Sequence, residues 1–465
     1  MITVTEYTHQ AVGVFGLGKA GEATVASLAA GGAKVFAWDD KGMDGGRWAV
    51  DKDDAAIRHL SFVDYHDWPW AELKALVLSP GVPLTHPKPH AVVEMARRHG
   101  VPVLGDIELL YRACPKAKYV AITGTNGKST TTTLIGHILK SAGLTVEVGG
   151  NLGTAALSLQ PLGKEGIYVL ELSSYQLDLV HTTRFNVAVF LNVTPDHLDR
   201  HGSMEGYVAA KMHMFDRQQA GDVAVIAVDD AYTAGIVNQT LETKKEATLI
   251  NVSAKSRLSG GVYVEAGKLV DTAFPDSRFP IPDACLPGRH NWQNAAAAWA
   301  VARVCGVVPE QIYAAMKTFP GLRHRLQLVA TIRGVRFIND SKATNADATS
   351  HALAPYESIY WIAGGKPKEG GIDALSSFFP KIAHAFLMGQ AEEAFARTLD
   401  GQVPYTRCGT LKTAVEKAAG MAWRDGKPHA VVLLSPACAS FDQWKNFEER
   451  GDAFCAYVEA LAHAS

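Results

Sequence analysis

Thr123-Gly124-Thr125-Asn126-Gly127-Lys128-Ser129-Thr130 joins a short apolar run to a helical pattern through a loop suited to holding phosphate. Upstream, Val120, Ala121 and Ile122 read as the end of a buried strand. Downstream, Leu134, Ile135, Ile138 and Leu139 recur at the spacing of one helix face. Gly124 and Gly127 let backbone amides approach an anion closely, and the helix N-terminus adds its positive end. Lys128 is placed to reach terminal phosphates and Ser129 to ligate Mg2+. Only Thr125 and Asn126 separate the two glycines, so the loop is a shortened form of a fingerprint whose glycines usually stand further apart. Strand, glycines, Lys-Ser pair and helix in this order predict a nucleoside triphosphate site in an α/β fold.

The chain has 465 residues, enough for roughly three domains of ordinary size. Its 47% hydrophobic and 20% charged content is that of a soluble globular protein. A formal net charge of -2 argues against a broad nucleic-acid face while leaving room for local basic pockets around phosphate. The six cysteines are scattered without CxxC spacing, as reduced cytoplasmic cysteines are. Glu6 and His9 interrupt the opening residues, so a signal peptide is not expected. No run approaches a membrane-spanning length.

Three α/β blocks follow one another. The first opens with the strand pattern Ala11–Phe15, the loop Gly16-Leu17-Gly18-Lys19-Ala20-Gly21, a helical pattern over Glu22–Ala30, and a second strand pattern, Lys34–Trp38, ending at Asp39 and Asp40. That is a GxGxxG fingerprint with an acidic residue about 20 positions on, which by pattern alone suggests a dinucleotide site. The same crevice can hold the uracil and diphosphate of a UDP-sugar. Leu76-Val77-Leu78 runs into the turn Ser79-Pro80-Gly81 over that crevice, and the block finishes near Gly105-Asp106. The second block runs from the phosphate loop to about Pro320-Gly321. Its runs Tyr168–Glu171 and Val187–Leu191 are almost continuously apolar, as expected of parallel strands covered on both faces. The third starts near Arg323 and contains the runs Tyr360–Gly365 and Ala430–Pro436, each a strand stopping at a turn of small residues, where ligands sit in open α/β sheets.

The chemistry concentrates in the second block. Glu171 ends a buried strand beside the phosphate loop, either as a Mg2+ ligand or as a helix-start carboxylate satisfied by backbone amides. His197 lies in Asn192-Val193-Thr194-Pro195-Asp196-His197-Leu198-Asp199, a polar turn at the next strand end. Lys211 follows on a helix. Mg2+ wants oxygen ligands and lysine offers none, but a lysine carbamylated by CO2 would supply them.

Thr123–Thr130, Glu171-Leu-Ser-Ser-Tyr-Gln176, Asn192–Asp199, the helix of Lys211, Gly288-Arg-His-Asn-Trp-Gln-Asn294, Arg323-His-Arg325 and Asn339-Asp-Ser-Lys-Ala-Thr-Asn345 together resemble the Mur ligases, ATP-dependent amide ligases of bacterial cell-wall precursor synthesis. The likeness spans all three blocks in order. It implies a Rossmann-like N-terminal domain for a UDP substrate (1–106), a central P-loop ATPase-like domain (107–321), and a Rossmann-like C-terminal domain that binds the amino acid and closes on ATP (322–465). The GxGxxG opening and the ending Ser435–Gly451 are similar to the family member that joins D-glutamate to UDP-N-acetylmuramoyl-L-alanine. A sibling using a diamino acid, alanine or folate-linked glutamate is the nearest alternative. A nicotinamide-dependent oxidoreductase would leave the phosphate loop unexplained, and a non-catalytic nucleotide binder would tolerate loss of Lys128, Glu171, His197 or Lys211.

By this resemblance the chain is a cytoplasmic monomer that works with ATP and two Mg2+ ions and has no nucleic-acid or membrane partner. Ser129 and Glu171 hold one ion, and His197 and carbamylated Lys211 the second. Gly124, Thr125, Asn126, Gly127, Lys128, Ser129 and Thr130 cradle the phosphates of ATP. Asn291 and Asn294 contact its adenine side, and Arg325, Asp340 and Lys342 contact it from the third block. Gly18, Lys19, Ala20, Asp39, Ser79 and Gly81 receive UDP, with Asn151 reaching the substrate. Thr344, Lys368, Ser435 and Phe441 frame glutamate, with Lys366 as the alternative to Lys368.

Overall fold

The computed structural model describes residues 1–41, 60–236, 247–274, 278–282, 286, 290–367 and 370–463. Its described residues form three sheets. In the first, β1 (Ala11–Phe15), β2 (Lys34–Trp38), β3 (Leu60–Phe62), β4 (Leu73–Leu78) and β5 (Val103–Leu104) are all parallel, in the order β3-β2-β1-β4-β5. The order reverses at β1 and β4. The crevice beyond their C-terminal ends, where Gly16 and Ser79 meet, is therefore the natural ligand position of this sheet.

The second sheet comprises β6 (Lys118–Thr123), β7 (Val146–Gly150), β8 (Ile167–Glu171), β9 (Val187–Phe190), β10 (Val223–Ala227), β11 (Thr248–Ser253), β12 (Val262–Glu265), β13 (Lys268–Asp271) and β14 (Arg278–Pro280). Its order is β14-β13-β12-β11-β10-β9-β6-β8-β7, parallel except for the antiparallel turns β12–β13 and β13–β14. β6 lies between β8 and β9, so Thr123, Glu171 and Phe190 end side by side. β8, β9 and β10 are buried at every residue, which is why their sequences read as unbroken apolar runs.

The third sheet, β15 (Gln327–Ile332), β16 (Val335–Asn339), β17 (Ile359–Gly364), β18 (Ile382–Met388), β19 (Tyr405–Gly409) and β20 (Val431–Leu434), has the order β15-β16-β20-β17-β18-β19. β15 and β16 form a hairpin through Arg333 and Gly334, both at positive φ, the backbone that a tight two-residue hairpin turn requires. The remaining strands are parallel.

By density of contacts the chain divides into two units. One holds Met1–Ile281 with Arg289–Lys317, and so the first two sheets; the other holds Pro282–Gly288 with Thr318–Ser465, and so the third. One apolar core runs through the first unit from Val12, Val14 and Val35 to Tyr119, Leu170 and Phe190. The third sheet has a separate cluster on each face, one around Trp361 and Leu433, the other around Tyr360 and Val432. No helix among the described residues is long and apolar enough to cross a membrane.

Candidate active site

The phosphate loop leaves β6 and enters the helix Lys128–Ser141 with Gly127 as its left-handed N-cap, at φ 82°. Both glycines are demanded by their surroundings. A Cβ on Gly124 would lie 3.0 Å from Leu191 Cβ, and one on Gly127 2.2 Å from Asn294 Oδ1. Asn192 stitches the loop to β9, its Oδ1 accepting from Asn126 N at 2.8 Å and its Nδ2 donating to Asn126 O at 3.1 Å. Thr125 Oγ1 donates to Thr194 O and accepts from Thr194 N, and it lies 3.3 Å from Tyr207 Oη. Lys128 Nζ folds back to donate to Gly124 O and Thr125 O at 2.9 and 2.8 Å. The ammonium thus sits over the cradle that would receive phosphate. Ser129 is buried at the first turn of the helix and Thr130 follows it half-buried.

Asn294 belongs behind this loop. It is 3% exposed, its Oδ1 accepts from Thr131 Oγ1 at 3.1 Å, and its Nδ2 donates to Asn291 Oδ1 at 3.0 Å. The pair Asn291–Asn294 on the helix His290–Val304 therefore buttresses Gly127 and the first turn of the phosphate helix. The sequence motif points these two residues at the adenine side of ATP; in the structure their amides bond to Thr131 and to each other, partners that depend on the packing of two helices distant in sequence.

Glu171 ends β8 with its side chain buried. Oε1 accepts from Asn151 Nδ2 at 3.0 Å, while the buried Oε2 has no hydrogen-bond partner. A desolvated carboxylate oxygen without a donor is costly, and a hard cation would satisfy it. Among the described residues no three His, Cys, Asp or Glu side chains gather as a metal cage. The unpartnered Glu171 Oε2 nevertheless fits Mg2+, which is commonly held by one or two protein oxygens together with substrate phosphates, and Ser129, buried in the first turn of the phosphate-loop helix, carries a hydroxyl of the right kind.

Lys211, on the helix Met204–Met212, is 1% exposed. Nζ donates to Gly124 O at 3.1 Å and Thr123 Oγ1 at 3.4 Å, and it lies 4.5 Å from the ring centre of Tyr207, one helical turn earlier. Burial, reinforced by the charge of Lys128 and opposed by Asp196, pushes the Lys211 amine down to about 7. A substantial neutral fraction follows at neutral pH, and the neutral amine is the form that attacks CO2.

His197 occupies a left-handed backbone position, φ 53°, at the start of the turn 198–201. Its ring centre is 5.1 Å from that of Tyr175, and its Nε2 is 3.4 Å from Asp196 Oδ2. His201, which sequence reasoning missed, lies deeper. Its Nε2 is 2.9 Å from Ser174 Oγ and its ring stacks on Tyr175 at 5.3 Å. Burial, aided by the charges of Lys211, His197, Arg200 and His86, pushes it down to about 4, so it is neutral and structural at physiological pH. Burial likewise pushes Asp178, behind it, up to about 6.

In the first sheet the three glycines of the fingerprint separate physically. Gly16 has φ 90°, with Ser79 Cβ 2.5 Å from any added Cβ, and a Cβ on Gly21 would meet Gly16 O at 1.9 Å. Gly18, the N-cap of the helix Lys19–Ala30, has nothing within 4 Å of its added Cβ and no side-chain cap. The protein itself does not require that glycine, whereas a phosphate approaching the helix N-terminus would. Asp39 is engaged with backbone, accepting from Leu17 N at 2.6 Å and Lys41 N at 2.9 Å. Lys19 and Ala20 open the helix beside Gly18; Ser79 stands against Gly16, its N donates to Phe15 O, and it begins the turn that carries Gly81.

In the other unit, Asp340 and Ser435 lie at the C-terminal ends of β16 and β20. Ser435 Oγ donates to Asp340 Oδ2 at 2.8 Å and Leu326 N donates to Oδ1 at 3.1 Å. Burial pushes Asp340 up to about 7 against these bonds and the charge of Arg325. Lys342 Nζ stands 5.7 Å from the Phe447 ring centre. Thr344 is half-buried and Phe441 is 68% exposed, an apolar ring presented to solvent. Lys366 pairs with Ala439 through an isolated β-bridge, and Lys368 lies outside the described residues.

The chain matches the Mur ligase middle domain over residues 122–302 and the Mur ligase glutamate ligase domain over residues 324–438. It is 50% identical over 472 residues to the UDP-N-acetylmuramoylalanine–D-glutamate ligase of Rhodospirillum rubrum, covering 100% of this chain and 97% of that protein. Against the protein of the same name from Caulobacter sp. it is 48% identical over 470 residues, covering 99% and 98%. Among solved structures, the UDP-N-acetylmuramate-alanine ligase MurC of Thermotoga maritima superposes with a TM-score of 0.59 at 15% identity, covering 97% of this chain and 100% of that one. MurF of Acinetobacter baumannii gives 0.55 at 21%, covering 75% and 78%. The two structures speak to the fold, and the sequence relatives to kinship: this chain belongs to the Mur ligase family.

Proposed function

We propose that the protein joins D-glutamate to UDP-N-acetylmuramoyl-L-alanine, with conversion of ATP to ADP and phosphate, in cytoplasmic peptidoglycan precursor synthesis. The observation that carries this reading is the arrangement around one phosphate loop: Lys128 over the cradle, the buried Glu171 Oε2 without a donor, and the buried Lys211 with its amine near neutrality. The near-half identity to ligases named for this reaction supports the choice of substrates.

A carboxylate does not yield to an amine until it carries a better leaving group. The γ-phosphoryl of ATP passes to the muramoyl-alanine carboxylate, giving an acyl phosphate. The glutamate amine attacks the acyl carbon, a tetrahedral intermediate forms, and phosphate departs. Phosphoryl transfer is chiefly positioning and charge neutralisation. The amides of Gly124 to Thr130 hold the phosphates, and Lys128 turns from its loop carbonyls to the transferring group. Ser129 and Glu171 would hold one Mg2+, and His197 with the Lys211 carbamate a second; bound there, Mg2+ neutralises charge on the phosphate oxygens. Lys211 takes up CO2 through its neutral amine, losing one proton. The resulting carbamate supplies the oxygens that the amine lacks.

Gly18, Lys19, Ala20, Asp39, Ser79 and Gly81 receive UDP, and Asn151 orients the substrate. Asn291 and Asn294 contact the adenine side of ATP besides supporting its loop, and Arg325, Asp340 and Lys342 are further ATP contacts. Thr344, Ser435, Phe441 and Lys368 or Lys366 take glutamate, where a cationic group suits its two carboxylates and disfavours an ammonium-bearing side chain. The domains at 1–106, 107–321 and 322–465, each with one sheet, and the monomeric state belong to the same proposal.

Phosphate release from ATP in the presence of UDP-N-acetylmuramoyl-L-alanine tests the reading, with D-glutamate, L-glutamate, meso-diaminopimelate and L-lysine assayed in parallel. Release stimulated by D-glutamate alone is expected. Stimulation by diaminopimelate or lysine instead would reject the substrate assignment.

A further inference from the structure

Arg200 is unassigned in the chemistry above, yet it spans two sheets of one unit. It follows three residues after His197, and its Nη1 donates to Gly81 O at 2.9 Å, the carbonyl of the turn that closes the first-sheet crevice. Its guanidinium carbon lies 4.6 Å from the Tyr175 ring centre, and that ring contacts both His197 and His201. The base of this segment is fixed, because His201 is buried against Ser174 and stacked on Tyr175. Two residues beyond Arg200, Gly202 at φ 77° approaches the same first-sheet segment so closely that a Cβ would lie 2.9 Å from His86 Nε2. The crevice turn and the His197 segment are therefore joined by a directional hydrogen bond and a close packing contact.

We infer that Arg200 is a positioning residue that fixes the distance between the UDP end of the substrate and its reacting carboxylate. The inference rests on the ligase reading. A substrate whose two ends are gripped by different sheets arrives at the phosphate loop in register only if the sheets are held at a set spacing, and remote binding then becomes rate at the reacting centre. Arg200 suits this role because a charged donor to a carbonyl is strong and directional, and because stacking on Tyr175 limits the rotation of its guanidinium. It grips the carbonyl of Gly81, so it acts on the substrate through the placement of that turn and not through its own charge.

Arg200→Ala, Arg200→Gln and Arg200→Lys separate this role from others. Three quantities are measured on each full-length variant and the parent: the dissociation constant of UDP alone, the KM for ATP, and kcat for phosphate release at saturating UDP-N-acetylmuramoyl-L-alanine and D-glutamate. The expected result for Ala and Gln is a kcat lowered by about 10- to 100-fold, the range for a hydrogen bond made by a charged group. UDP affinity and the KM for ATP should stay within about twofold, and Lys should recover part of kcat. An unchanged kcat, or a loss confined to UDP affinity, would overturn the inference. So would parallel loss of all three quantities in folded variants. If the parent releases no phosphate with these substrates, the ligase reading fails first and the inference falls with it.

Discussion

The phosphate loop of the second sheet and the glycine loop of the first are both written in glycine, but for different reasons. In the phosphate loop each glycine is required by the protein, since Leu191 and Asn294 stand where side chains would go. In the first loop Gly16 and Gly21 are required in the same way, whereas Gly18 faces open space. The charges differ too. The second-sheet site buries Glu171 and Lys211, while the first-sheet crevice commits Asp39 to its own backbone. A site for phosphoryl transfer needs desolvated charge, and a site for holding a nucleotide needs room and backbone donors. Open space around a glycine is common in this chain, so what sets Gly18 apart is its place as the N-cap of the helix that follows β1, where an anion would approach.

The strongest blow to this comparison would come from the charges around the phosphate loop, the half-buried Lys128 and the buried Glu171. Lys128→Ala and Glu171→Ala should each lower phosphate release by about 10^2 to 10^3, typical for loss of one charge-stabilising group, with the fold intact by circular dichroism. Near-normal turnover at saturating ATP would show that neither group acts on the transferring phosphoryl.

The glycines give the next contrast. Gly21→Ala forces a Cβ onto Gly16 O and should lower stability by about 2–4 kcal/mol. Gly18→Ala should leave the melting temperature unchanged but raise the KM for the UDP substrate about tenfold, because only the ligand's approach is obstructed. Equal stability losses in chemical denaturation would erase the distinction between the two positions.

Lys211 sharpens the comparison through pH. Its folded value of about 7 lies below the ordinary 10.5, so between these pH values the unfolded chain holds a proton that the folded chain has released. Stability therefore rises with pH across that window, and the burial penalty is full below about 7. Lys211→Met should be inactive yet more stable than the parent by about 1–3 kcal/mol at pH 7 in CO2-free buffer. The advantage should fade towards pH 10.5. Bicarbonate activation of the parent should be lost as pH falls through 7, as the amine becomes protonated. A methionine variant that melts lower at pH 7 would contradict the buried neutral amine.

Much of this was legible in the sequence because it depends on local pattern. The parallel strands announced themselves as apolar runs, and the observed Lys34–Trp38 and Ala11–Phe15 match the expected limits. The phosphate loop followed from glycines, Lys128 and the helix after it. The antiparallel strands β12 to β14 were not foreseen, being short and lying among turn residues. The hairpin at Arg333-Gly334 likewise has no clear mark in the sequence, since arginine there adopts a backbone glycine usually supplies. Partners across the fold were hidden most completely. Asn294 meets Thr131 from 163 residues away, and the burial of His201 depends on Tyr175 and Ser174 from another segment. The lowered basicity of Lys211 is likewise a property of what packs around the helix, which no spacing of residues announces.

The central claim is that the phosphate loop activates a carboxylate by phosphorylating it. UDP-N-acetylmuramoyl-L-alanine labelled with oxygen-18 in both carboxylate oxygens, turned over with ATP and D-glutamate, tests this most directly by mass spectrometry of the released phosphate. The mechanism predicts one labelled oxygen per phosphate, carried over from the acyl phosphate as the amide forms. Phosphate free of label while amide accumulates would contradict it.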